Sequence, residues 1–138
     1  MSTFDELAGD FLAKQRIAVA GMSRKEGGNT ANYIYRALRD KGYQVFGLNP
    51  HADELEGDLC YPTVSAVPGG VDGVLIVTNP TITEQVVRDC AEAGVSRVWI
   101  HDGMLMHGAS SVSDEAVAFC REHGIQALVQ RIEDRRTC

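Results

Sequence analysis

A chain of 138 residues, 44% hydrophobic and 23% charged, suits one domain around one core and excludes a largely disordered protein. Its net charge of −6 argues against broad nucleic-acid binding, which draws on a basic face. No apolar run approaches membrane-helix length, and the acid-bearing start (Asp5, Glu6, Asp10) lacks the basic-then-apolar order of a secretory leader, so a cytoplasmic protein is expected.

The first predicted element is a helix over about Thr3 to Lys14, with Phe4, Leu7, Phe11 and Leu12 placed to pack on a sheet. Residues 16–20 (Arg-Ile-Ala-Val-Ala) form a first strand that ends at Gly21. A helix follows over Thr30–Lys41, with Ile34, Ala37 and Leu38 at helical spacing and Gly42 as its stop. Residues 44–48 form a second strand, ending at Asn49-Pro50. The stretch 49–72 is punctuated by Pro62, Pro68, Gly69 and Gly70; it predicts no long helix, only a short turn near Ser65–Val67. A third strand covers 73–77 and runs into Thr78-Asn79-Pro80. The next helix, Thr81–Ala93, carries Ile82, Val86, Val87 and Cys90 on one face; Asn79 is its cap, Pro80 suits its first turn and Gly94 ends it. A fourth strand, 97–100, leads into His101-Asp102-Gly103. The last helix, Asp114–His123, has Ala116, Val117 and Cys120 on its apolar face, Ser113 as cap and Gly124 as stop; a fifth strand spans 126–129.

The strand runs are short, β-branched and nearly continuous, as in strands covered on both faces. Strand–helix alternation with right-handed crossovers then predicts a three-layer, doubly wound, Rossmann-like α/β fold. The expected sheet is parallel and five-stranded, in order 3-2-1-4-5, within a single domain over residues 1–138. Of the four cysteines, Cys90 and Cys120 fall in helices and read as small core residues, while Cys138 at the terminus is expected to be exposed. The set contains no CxxC pair and no zinc-like spacing, which fits a reducing compartment. Trp99, inside a strand, reads as core.

In such a sheet a ligand lies beyond the carboxyl ends of the strands, where strand order reverses. The reversal is expected at the end of the first strand, beside the fourth. There the chain reads Gly21-Met-Ser23-Arg24-Lys25-Glu-Gly27-Gly28-Asn29-Thr30. Gly21 permits a sharp turn and close approach, Ser23 offers a hydroxyl, and Asn29 or Thr30 caps the following helix, whose free amides favour an anion. Arg24 and Lys25 add positive charge, so the loop suits a pyrophosphate. It is neither GxGxxG nor a P-loop, since Ser23 stands where a second glycine would and no Gly-Lys-Ser/Thr follows. The second strand ends at Asn49-Pro50-His51, without the acid that would hold an NAD ribose. That favours a nucleotide with an extra ribose phosphate, either coenzyme A or NADP.

Several segments resemble the small CoA-binding-domain proteins, which are similar to the N-terminal domain of the succinyl-CoA ligase α subunit. They are Ile17–Ser23, Gly42–Pro50, Gly57–Pro62, Val71-Asp72 and Val98–Gly103, and the likeness covers roughly residues 12–132. The resemblance implies a Rossmann-like fold that holds CoA by its ADP portion. Gly21, Ser23 and Arg24 would meet the phosphates, and Asn49, Pro50 and His51 would border the adenosine. Thr78 and Asn79 would flank the diphosphate or pantetheine, with Asp102 near the pantetheine arm. The chain departs from the family pattern in three places. His51 replaces a frequent lysine, Gln130-Arg131-Ile132 replaces a frequent Asp-Arg-Cys, and Met104–Ser113 is longer and more polar.

The resemblance implies that the ligase reaction draws on a phosphorylated histidine supplied by a second domain, so these 138 residues are not expected to carry the full reaction alone. His101, Asp102 and His107 share one stretch but do not set a metal geometry, and Ser23 has no evident histidine–acid partner. His123, near a helix C-terminus, reads as structural. The leading expectation is a non-catalytic module that binds CoA or acyl-CoA. The alternatives are an NADP-dependent oxidoreductase or redox sensor, and an interaction subunit with an empty cleft; a protein partner is left open.

Overall fold

The computed structural model describes residues 4–25, 27–102 and 111–131. Its elements are α1 (Phe4–Leu12), β1 (Arg16–Ala20), α2 (Thr30–Asp40), β2 (Gln44–Leu48), β3 (Glu54–Leu55) and β4 (Asp58–Tyr61), then a 3-10 turn at Val64–Ala66. They continue as β5 (Gly73–Ile76), α3 (Pro80–Ala93), β6 (Arg97–Asp102), α4 (Asp114–Glu122) and β7 (Gln126–Arg131). The expected caps are in place. Asn29, Asn79 and Ser113 each accept a first-turn amide, and Gly94 closes α3 in the left-handed conformation.

The Rossmann-like class holds, but the sheet corrects the predicted topology. It has seven strands in the order β3-β4-β2-β1-β5-β6-β7, not five in the order 3-2-1-4-5. The strand expected third, β5, lies against β1, with Ala20 opposite Ile76. The place outside β2 belongs instead to β4, parallel to it, and β3 folds back antiparallel on β4. Both extra strands come from the stretch read as loop. Asp58-Leu-Cys-Tyr has no continuous apolar run because it lies near the sheet edge, where Leu59 remains 64% exposed.

Because side chains alternate along a strand, β1 feeds both layers. Ile17 and Val19 pack with Phe11, Tyr35, Leu75 and Trp99 on the α1/α2 side. Ala18 and Ala20 pack with Val74, Ile76, Val87 and Cys90 on the α3 side. Each large aliphatic side chain buried this way contributes about 2 kcal/mol relative to exposure. Trp99 is core, as expected, with its ring edge-to-face against Phe11 at 5.7 Å. Cys90 and Cys120 are fully buried; burial pushes their thiols up to about 12 and about 11, so they act as packing groups. Cys138 lies outside the described residues. His123 is structural: its ring stacks on Phe119 at 3.9 Å near the end of α4.

Two helices are rotated from their expected faces. In α2 the buried residues are Ala31, Asn32, Tyr35 and Leu38, while Ile34 and Ala37 are half-buried. In α3 they are Thr83, Val87 and Cys90, while Ile82 is 47% exposed.

The β3–β4 hairpin is tied to α2 by charge. Glu56 Oε2 accepts from Arg36 Nη1 at 2.9 Å, and Asp58 Oδ2 accepts from Arg39 Nη1 at 2.8 Å and the Tyr35 hydroxyl at 2.7 Å. Hydrogen bonds from Asn32 and Arg36 hold the Glu56 carboxyl below its ordinary range, and those from Tyr35 and Arg39 do the same for Asp58. Glu56 and Gly57 at the turn both have positive φ, 55° and 82°, matching a two-residue hairpin turn.

Candidate functional site

The reversal point follows from the corrected topology. It lies between the carboxyl ends of β1 and β5, because the 97–100 strand is one place further out. There Gly21 takes φ +103°, and a Cβ on it would fall 1.8 Å from the Val77 carbonyl oxygen. Only glycine fits, on both counts. Main chain therefore meets main chain at the floor of a cleft of about 590 Å³.

One wall of the cleft is the end of β2: Leu48, Asn49, Pro50 and His51. Asn49 shapes it, donating from Nδ2 to the Met22 carbonyl at 3.0 Å and accepting the His51 amide at 2.7 Å. Pro62, Thr63 and Val64, after β4, form a second wall. The third is α3, entered through Thr78 and Asn79 and carrying Ile82, Gln85, Val86 and Asp89. Asn79 Oδ1 caps α3 by accepting the Ile82 amide at 3.0 Å, while the Thr78 and Thr83 hydroxyls share a hydrogen bond of 2.7 Å. Ile82 and Val86, expected on one face with Val87 and Cys90, are partly exposed because they face this cleft.

Gly21, Asn49, Pro50, His51, Thr78 and Asn79 are thus brought together around one space. Ser23, Arg24, Lys25, Asn29 and Thr30 do not line it; they sit on the remainder of the β1–α2 loop. In that loop Ser23 Oγ accepts the Lys25 amide at 3.0 Å. Asn29 caps α2 and donates from Nδ2 to the Gly21 carbonyl at 2.9 Å. Arg24 Nη1 donates to the His51 carbonyl at 3.1 Å, linking the ends of β1 and β2 while the side chain stays exposed. Thr30, half-buried, opens α2. Asp102 lies within β6 rather than after it, and only its backbone is described; His107 falls outside the described residues.

Sequence reasoning missed the residue that organises this loop. Asn32 is 2% exposed, and its Oδ1 accepts the amides of Ser23 at 2.7 Å and Asn29 at 3.3 Å. Two main-chain donors of the loop expected to seat an anion therefore meet a side-chain oxygen instead. The available signal was Asn32 at the third helical position after Asn29, the place of a capping-box partner. The residues after β4 were missed with their strand.

Among the described residues, no group of three or more His, Cys, Asp and Glu side chains could hold a metal ion. No described helix is long and apolar enough to cross a membrane.

Residues 15–131 match the profile of a family described as CoA binding domain. The chain is 27% identical over 122 residues to the ADP-forming acetate–CoA ligase II of Archaeoglobus fulgidus, covering 85% of this chain and 18% of the ligase. It is 26% identical over 110 residues to the uncharacterized protein YneT of Bacillus subtilis, covering 80% and 76% respectively. Among solved structures, a hypothetical protein from Pyrococcus horikoshii superposes with a TM-score of 0.82 at 25% identity, covering 97% of this chain and 89% of that one. The chain thus spans only 18% of the length of the first ligase it matches.

Proposed function

The chain belongs to the CoA-binding domain family, and from that premise we propose that it binds coenzyme A or an acyl-CoA, without catalysis, in the cleft between the ends of β1 and β5. The observation that carries this reading is the cleft itself. It has a floor of main chain at Gly21, largely apolar walls, and the strand-reversal position where such sheets take nucleotides.

The charges orient the ligand. The Arg24 guanidinium sits at the β1–β2 end, bonded to the His51 carbonyl, whereas Asp89 lies on the α3 wall. Phosphates are drawn to the first end and repelled from the second. Gly21 at the cleft floor, and Arg24 reaching from beside His51, then meet the phosphates, while Ser23, Lys25, Asn29 and Thr30, outside the cleft, belong to the loop behind them. Asn49, Pro50 and His51 border the adenosine. Thr78 and Asn79 flank the diphosphate or pantetheine. The NADP alternative gains no support from the relatives, which are CoA ligases and an uncharacterized protein.

Thermal melting with added ligands tests this. A ligand at a hundred times its Kd stabilises the folded chain by about 2.7 kcal/mol, a rise of several degrees for a domain of this size. CoA and acetyl-CoA should each raise Tm and NADPH should not. Arg24→Ala should weaken CoA binding about ten-fold while lowering Tm only slightly, since the side chain is exposed and the bond it loses in the free chain is to the His51 carbonyl. Equal stabilisation by NADPH, or none by CoA, overturns the ligand; steady loss of the acetyl-CoA thioester overturns the non-catalytic part.

A further inference from the structure

We infer that Glu56 is a positioning residue for the Gly21–Asn29 loop, acting through the buried amide of Asn32; its effect on ligand binding rests on the reading of the cleft given above. An asparagine amide and its flipped form fill the same space, so its neighbours decide which end points where. The nitrogen of Asn32 donates to the Ser23 carbonyl at 3.1 Å and to Glu56 Oε2 at 2.9 Å. Its oxygen is thereby turned to the Ser23 and Asn29 amides. Flipped, it would set N–H against N–H and oxygen against a carboxylate. Glu56 is the charged member of this set and makes its strongest contact.

Glu56 reaches Asn32 from a different element, the β3–β4 turn. There, among the described residues, it is the one non-glycine residue with positive φ. Such a turn favours Asn, Asp or Gly, not glutamate. The longer carboxylate is explained by what it holds: Asn32 and Arg36. The same hairpin runs on into Pro62 and Thr63 of the cleft wall. One side chain therefore couples the loop to that wall.

The test compares Glu56→Ala, Glu56→Gln and Arg36→Ala in the full chain, by calorimetric CoA titration and by amide hydrogen exchange at Ser23 and Asn29 without ligand. Glu56→Ala should weaken CoA binding about ten-fold, through lost preorganisation, and speed exchange at both amides by about the same factor. Glu56→Gln, whose carbonyl oxygen still accepts from Asn32, should stay within about two-fold of wild type in both readouts. Arg36→Ala removes the other side-chain partner of the Glu56 carboxylate, leaves the Arg39 and Tyr35 ties of the hairpin in place, and should likewise stay within about two-fold, because Arg36 bonds no loop residue. Wild-type exchange in Glu56→Ala overturns the inference, as does Arg36→Ala matching Glu56→Ala in both readouts. If Glu56→Ala does not fold, Glu56→Asp, a methylene shorter, replaces it with the same expected exchange. If the wild-type chain itself binds no CoA, the functional reading fails and the exchange data alone judge Glu56.

Discussion

The β1–α2 loop and the start of α3 look alike on paper: each follows a strand, and each opens its helix with an asparagine cap. Their surroundings differ. At α2 the amides of Ser23 and Asn29 turn inward onto Asn32, and Ala31 behind them is fully buried. At α3 the cap faces the cleft, and the residues that follow, Ile82 and Val86, stand along its wall. The comparison teaches that a glycine-rich turn is not by itself an open anion seat. Its shape here comes from a side chain that fills it, and the free volume lies on the other side of Gly21.

The floor between these two regions should be the least tolerant place. Gly21→Ala would combine a positive-φ penalty with a contact at 1.8 Å against the Val77 carbonyl. A loss of roughly 3 kcal/mol or more is expected, read as a lower urea midpoint or failure to fold. Tolerance of alanine there would mean that the two strand ends can separate.

The two caps sharpen the comparison. Asn79→Ala should cost about 1 kcal/mol in chemical denaturation, the ordinary loss of a cap. Asn29→Ala should cost more, roughly 2 kcal/mol, because its amide also donates to the Gly21 carbonyl. Equal costs would show that the α2 loop draws no extra stability from that cross-link.

The smallest expected effect is on acid stability. The folded-state pKa values of Glu56 and Asp58 are depressed, so their contribution is full above the ordinary carboxylate range and is lost as pH falls through the folded values. Wild-type stability should hold from neutral pH to about 4.5 and fall below it, and Glu56→Gln with Asp58→Asn should flatten that fall. An unchanged acid limb in the double variant would remove these carboxylates from the hairpin's anchoring.

Much of the fold was legible because it rests on periodicity and caps. The continuous runs at 16–20 and 44–48 became β1 and β2 unchanged, and the Asn79-Pro80 start with Gly94 stop bounded α3. The β3–β4 hairpin was not legible. Its strands are short, near the edge and half polar, and its Glu56-Gly57 turn lacks the Asn-Gly or Asp-Gly signal. That omission displaced β5 and shifted the reversal point by one strand. Half of the candidate site was legible, the half set by strand ends: Gly21, Asn49–His51, Thr78 and Asn79. The rest depends on contacts distant in sequence. Glu56 meets Asn32 across 24 positions, a pairing that no local pattern encodes.

The closeness of Gly21 to Val77 has an evolutionary consequence. A ligand resting there touches peptide groups that every sequence shares, so mutation has little to adjust beneath it. New ligand preferences in this lineage must arise from the walls, at positions such as Ile82, Gln85 and Thr63, while the base stays as it is.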